Sequence, residues 1–272
     1  MKIWDEYKWN FWNPDKEPLP KNPSRYRKIS ICTTCMNRAY DLKQTLPKNI
    51  ESNIKYPNAE FVLLDYNSSD GLDKWVKKNM MQHIKSGRLV YYRTAEPKYF
   101  RMGHSRNVAF KLATGDIVNN VDADNYTGDG FLDVLNRMAE ICPESAIFAK
   151  GKRMMHGRIG LYKNEFLDIG GYDEDLLGYG FDDHSVVYRA MALGCRFMWW
   201  NTMGNFAERI KTPRGVVTKN YTKELKRWKE TETINKEITM KKMENKEFIV
   251  NMTRHWGKAT VTKNFGRDKI SV

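Results

Sequence analysis

The chain has 272 residues, 41% hydrophobic and 12% aromatic, which is enough to bury the core of one large domain or of one domain with appendages. No apolar run is long enough for a transmembrane segment, the start lacks the apolar stretch of a signal peptide, and four cysteines without a disulfide framework predict reduced thiols and a cytoplasmic location. The formal charge is +13, and residues 209–272 carry most of it, with 17 Lys or Arg against 7 Asp or Glu.

Residues 1–27 hold Trp4, Trp9, Trp12, Pro14, Pro18, Pro20 and Pro23 and read as an N-terminal arm, either packing its indoles on the domain or reaching toward an acceptor. A first strand is expected over 28–32, followed by the loop Thr33-Thr34-Cys35-Met36-Asn37-Arg38. Cys32 and Cys35 form a Cys-x-x-Cys with no second pair, and His83, His104, His156, His184 and His255 give no close-spaced metal pair, which argues against a zinc or redox centre. A second strand over 60–65 leads into the turn Asp65-Tyr66-Asn67-Ser68-Ser69-Asp70-Gly71, and a third covers 89–92. Gly103-His104-Ser105-Arg106-Asn107 then opens a helix, where Arg106 can pair with phosphate.

The next strand, over 117–121, delivers Asp122-Ala123-Asp124 at its carboxyl end, where open α/β sheets gather their ligands. Two residues apart on extended chain, Asp122 and Asp124 face the same side, and such hard oxygen ligands suit Mn²⁺ or Mg²⁺ holding a diphosphate. Phe131, Val134, Leu135 and Met138 recur at helical spacing behind them. A second acidic run, Gly178-Tyr179-Gly180-Phe181-Asp182-Asp183, precedes a helix with the apolar stripe Val186, Ala190 and Leu193 and a stop at Gly194. Asp182 and Asp183 thereby sit at a helix N-terminus, where the dipole favours ionised carboxylates.

These motifs, in this order over roughly residues 28–200, resemble the inverting glycosyltransferases of family 2, and residues 157–183 resemble the acceptor-side segment of the β-1,4-galactosyltransferases. The resemblance implies an α/β GT-A fold: a Rossmann-like, nucleotide-sugar-binding mixed sheet flanked by helices, spanning 28–208, with a basic, largely helical extension over 209–272. It implies a UDP-sugar donor bound by Thr34, Asn37, Arg38, Asp65, Asp70, Arg106 and Asp122, with Asp65 reading the base. The Asp-x-Asp pair, Asp124 aided by Asp122, would hold manganese or magnesium. Asp183 would be the general base, and Tyr179, Asp182 and Arg158 would meet the acceptor. Relatives often add a metal-binding His after the strand over 196–200, but residues 201–211 contain none, leaving Asn205, Glu208, His255 or water in its place.

The basic tail predicts a helix within 221–248, with Leu225, Trp228, Ile234, Ile238 and Met243 as its apolar positions. It reads either as a solvated cover or as a surface for an anionic acceptor: nucleic acid with modified bases, an acidic polysaccharide or a lipid-linked acceptor. Three functions follow: a transferase acting on a glycan or glycoconjugate, a transferase acting on nucleic acid, and a non-catalytic carbohydrate- or nucleic-acid-binding protein on the same scaffold.

Overall fold

The structure is a computed structural model that describes residues 10–149, 158–199, 206, 208–253 and 255–272. Its described strands are β1 (Ile29–Cys35), β2 (Ala59–Tyr66), β3 (Leu89–Thr94), β4 (Ile117–Asn120), β5 (Ala146–Ala149), β6 (Gly160–Tyr162), β7 (Arg196–Trp199), β8 (Thr260–Lys263) and β9 (Lys269–Ser271). They form one mixed sheet in the order β7-β5-β6-β4-β1-β2-β3-β8-β9. The strands β1 to β4 pair in parallel, whereas β6 joins β4 and β5, and β8 joins β3 and β9, in antiparallel fashion. The sequences of β1 and β2 are buried almost throughout, as a parallel strand covered on both faces requires.

The helices are α1 (Ala39–Ser52), α2 (Leu72–Asn79), α3 (Met81–Lys85), α4 (Met102–Leu112), α5 (Phe131–Ile141), α6 (Lys163–Asp168), α7 (Asp182–Ala192), α8 (Arg214–Val217) and α9 (Trp228–Glu244). One apolar layer joins Val62 and Leu64 to Phe110, Phe166 and Val186, and the other joins Ile31 and Leu63 to Leu46, Val76 and Leu135. Alternate residues of each strand thus feed opposite layers. The same alternation sends Cys32 and Cys35 into different layers, so the Cys-x-x-Cys is not a pair. All four cysteines are free thiols.

Several boundaries differ from the sequence expectation for identifiable reasons. β1 runs on to Cys35 because Thr33 and Thr34, β-branched and suited to extended chain, pair with Leu63 and Leu64 of β2. The α7 stripe keeps Val186 and Ala190, each side chain fully buried, but Leu193 is exposed because the helix ends at Ala192 and Gly194 turns the chain with φ +101°. Burying a valine such as Val186 contributes about 1.5–3 kcal/mol.

Residues 11 and 12 pack onto the sheet, and the strands β8 and β9 join it. Trp12 is fully buried, its backbone N–H donating to the Phe197 carbonyl and its indole to the Glu17 carbonyl. Trp4 and Trp9 lie outside the described residues. After residue 208 the chain does not stand apart, since β8 extends the sheet beside β3. The expected helix is α9, and its inward stripe is Thr231, Asn235, Thr239 and Met243, while Ile234 is exposed. No described helix is long and apolar enough to cross a membrane.

Candidate active site

A cavity of about 390 Å³ lies beyond the carboxyl ends of β1 and β4. β1 delivers Thr34, Met36 and Arg38 to its wall, β4 delivers Asp122 to Asn125, and the turn before α7 adds Tyr179 to Asp183. Arg209, Lys211, Thr212, Asn220 and Tyr221 close it from the C-terminal segment.

Arg106 on α4 is the centre of this site. Its guanidinium is buried and reaches three carboxylates: Nη2 lies 2.9 Å from Asp122 Oδ1, Nη1 lies 2.8 Å from Asp183 Oδ1, and Nη1 also bonds Asp182. Burial opposes its charge, but Asp183, Asp182 and Asp122 outweigh that and hold it protonated far above the ordinary range. The Tyr172 ring lies 5.2 Å from the guanidinium carbon. Asn107, the next residue, holds Tyr172 from both sides, donating to its carbonyl at 2.9 Å and accepting from its N–H at 2.8 Å. One turn of α4 therefore ties the acids after β4 to the acids that open α7.

The four aspartates differ in their surroundings. Asp122 is oriented by Asn120, whose side-chain amide donates at 2.9 Å. Asp124 accepts from Arg38 Nη2 at 3.2 Å, while burial and neighbouring Asp122 raise its pKa against that arginine. Burial pushes Asp182 up to about 7, with Arg106 opposing and Asp183 and Asp122 adding to the rise. Asp183 is the more open of the α7 pair. Phe181, just before them, holds φ +67°, an uncommon conformation for an aromatic residue, and its ring stacks on His184 with centroids 4.6 Å apart.

The cavity wall sets Asp122, Asp124, Asp182, Asp183 and Glu232 against Arg38, Arg106, Arg209 and Lys211, so its charges nearly balance, and Arg38 is shared with Asp41. Asp122 and Asp124, two hard carboxylates close together at a strand's carboxyl end, are ligands of the kind that fit a divalent cation also held by phosphate oxygens and water. Among the described residues no third His, Cys, Asp or Glu converges on them. Glu208 and His255 are exposed and outside the cavity lining, and Asn205 lies outside the described residues.

Other residues expected at the site do not line the cavity. Asp65 is fully buried and accepts from Ser68 N at 2.8 Å and from the Tyr91 hydroxyl at 2.7 Å, so it braces its own turn and does not face the cavity. Asp70 accepts from Ala39 N at 2.8 Å at the start of α1. Asn37 accepts from Ser69 N at 2.7 Å and donates to Asn220 at 2.9 Å. Arg158 is buried below the loop that follows β4, where its Nη2 donates to Asn125 at 3.1 Å and to the Glu208 carbonyl at 2.6 Å. Burial lowers its pKa to about 10, against the pull of Asp122 and Asp124. Arg209, Lys211, Tyr221 and Glu232 line the cavity without any motif to announce them; only the tail's basic character hinted at the first two.

A mixed sheet that presents acids and a basic loop at the carboxyl ends of parallel strands, with a helical C-terminal region, defines a GT-A, Rossmann-like fold. The sequence profile of glycosyl transferase family 2 matches residues 30–199, more than half of the chain, and the chain belongs to that family.

Among solved structures it is similar to the mannosyltransferase PcManGT from Pyrobaculum calidifontis in complex with GDP-Man and Mn²⁺ (22% identity, TM-score 0.56, covering 73% of this chain and 59% of that one). It is also similar to S. aureus TarS (16%, 0.52, 63% and 35%) and to GalNAc-T7 with UDP, GalNAc and Mn²⁺ (15%, 0.52, 65% and 43%). These are likenesses of fold, and the chain spans less than two thirds of the length of each. No curated protein sequence matches it.

Proposed function

We propose that this chain is an inverting glycosyltransferase that moves a hexose or N-acetylhexosamine from a UDP-sugar to an acceptor hydroxyl, with an acceptor segment like that of the β-1,4-galactosyltransferases. The observation that carries this reading is the reach of Arg106, which holds Asp122 on the metal side and Asp182 and Asp183 on the base side of one cavity. The ligands bound in two fold relatives, GDP-Man with Mn²⁺ and UDP with GalNAc and Mn²⁺, support a nucleotide-sugar donor.

In this mechanism the nucleotide lies over Thr34 and Arg38, and Arg209 and Lys211 meet its diphosphate from the covering segment. Asp122 and Asp124 would hold Mn²⁺ or Mg²⁺, which supplies neutralisation of charge on the departing diphosphate. Asp183, at the start of α7, takes the proton of the acceptor hydroxyl as its oxygen bonds to the anomeric carbon and the carbon–phosphate oxygen bond breaks on the opposite face. Asp182 keeps Arg106 in place, so Arg106 holds Asp183 toward the cavity. The nucleic-acid version of the reading rests on tail charge alone, and part of that charge is committed internally: Lys242 pairs with Asp173 and Asp175, each at 2.7 Å.

Calorimetry with UDP, UDP-sugars and GDP-mannose, each with Mn²⁺ and with EDTA, tests the donor half. The expected result is metal-dependent binding that Asp124→Asn weakens strongly. Equal affinity in EDTA overturns the metal assignment.

A further inference from the structure

We infer that Tyr221 and Glu232 of the C-terminal segment complete the acceptor side of the cavity as hydrogen-bonding groups for an uncharged sugar. This rests on the transferase reading above and goes beyond it in naming the acceptor class.

Apart from Arg106, which is paired with Asp122, Asp182 and Asp183, the arginine and lysine side chains of the cavity wall lie on one side. Cationic Arg38, Arg209 and Lys211 cluster around the proposed metal acids: Arg38 pairs with Asp124, and Ile210 N donates to the Asp124 carbonyl at 2.8 Å, which fixes its neighbours Arg209 and Lys211 there. The other side, around Tyr179 to Asp183, gains Phe100, His184, Tyr221 and Glu232. Its aromatic rings suit the apolar face of a sugar ring, and its carboxylates oppose phosphate or uronate groups.

Tyr221 is 2% exposed, its ring edge-on to Phe100 at 5.7 Å, and its hydroxyl has no hydrogen-bond partner among the described residues. An unpaired buried hydroxyl is costly, and an acceptor oxygen seated against Tyr221 would relieve that cost. Burial and nearby Asp182 push its pKa far up, so it stays a neutral donor. Glu232 offers the complementary acceptor for a sugar O–H.

Glu232 is placed there by a fitted joint. Thr231 Oγ1 donates to the Tyr179 carbonyl at 2.9 Å, and Asn235 Nδ2 donates to the carbonyls of Leu177 at 3.0 Å and Gly180 at 2.8 Å. Gly178 and Gly180 have φ +74° and +100°, and a Cβ on either would come within 2.8 Å of Thr231 or 3.0 Å of Glu232. The first turn of α9 is thus seated directly on the loop that carries Tyr179 and leads to Asp183.

The test uses the full chain and its Tyr221→Phe, Glu232→Gln and Glu232→Lys variants. Donor binding is read by calorimetry. Transfer is read on neutral p-nitrophenyl hexosides and N-acetylhexosaminides, on p-nitrophenyl glucuronide and on duplex DNA with hydroxymethylated bases. Neutral glycosides should be preferred, Tyr221→Phe and Glu232→Gln should each raise the acceptor KM about tenfold at unchanged donor affinity, and Glu232→Lys should shift preference toward the glucuronide. The inference is overturned if the parent binds donor yet prefers glucuronide or DNA, uses no neutral glycoside, or shows the same acceptor KM in both conservative variants. Absence of donor binding by the parent overturns the transferase reading itself, and this inference with it.

Discussion

Residues 28–149 and residues 208–253 both wall the cavity, but different forces hold them in place. The first region is a parallel sheet between two apolar layers, where Ile31, Leu63, Val62 and Leu64 are at most 1% exposed. The second meets the first through hydrogen bonds such as Ile210 N to Asp124 O at 2.8 Å, Tyr126 N to Glu208 O at 2.9 Å and Phe100 N to Asn220 O at 3.0 Å, while Thr231 and Asn235 of α9 bond the 177–180 loop before α7. Apolar packing tolerates little change without loss of fold, whereas a hydrogen-bonded joint can be re-cut residue by residue. The sheet region is therefore the fixed part of the cavity wall and residues 208–253 the adjustable part.

The largest expected effect separates chemistry from binding on that scaffold. Asp183→Asn is nearly isosteric but cannot take a proton, so turnover should fall about 10²–10⁴-fold while donor affinity is kept. Equal turnover of mutant and parent removes Asp183 from the mechanism. Arg106→Met should come next, because it leaves Asp122, Asp182 and Asp183 facing one another without their shared cation. Removing one partner of a buried ion pair costs about 3–5 kcal/mol, read as a lower denaturation midpoint. An unchanged midpoint would mean that these acids do not depend on Arg106.

The comparison is sharpened by Asn235→Ala, which strips the Leu177 and Gly180 carbonyls of their donor. Stability should fall by about 1–3 kcal/mol, and acceptor KM should rise while donor affinity stays constant. If donor affinity falls equally, the two sides are not separable.

The smallest effect concerns His104, which bridges Tyr66 in β2 and the Lys258 carbonyl of the C-terminal segment at 2.7 and 2.9 Å. Burial lowers its pKa from 6.5, so its share of stability is complete above pH 6.5 and is lost as pH falls through its depressed folded value. His104→Gln should flatten the fall in melting temperature below pH 6.5, and an unchanged slope would exclude this joint as the cause.

The same contrast explains what could be read from the residues. Asp122, Asp124, Asp182 and Asp183 were visible because a strand end and a helix start are local patterns. Burial is not local, which is why Asp65 and Arg158 matched motifs yet do not line the cavity, held by Tyr91 and by Asn125. The inward face of α9 was hidden because its stripe begins with Thr231, Asn235 and Thr239, residues that periodicity assigns to solvent. Tyr221 and Glu232 belong to no motif and reach the cavity only through tertiary contacts.

The central claim is one-step inversion with Asp183 as base. The direct measurement is the anomeric configuration of the product, read by NMR from an α-linked nucleotide-sugar donor with parent and Asp183→Asn. The account predicts a β-linked product from the parent and none from the variant, which still binds donor. An α-linked product, or transfer by the variant at the parent's rate, would contradict it.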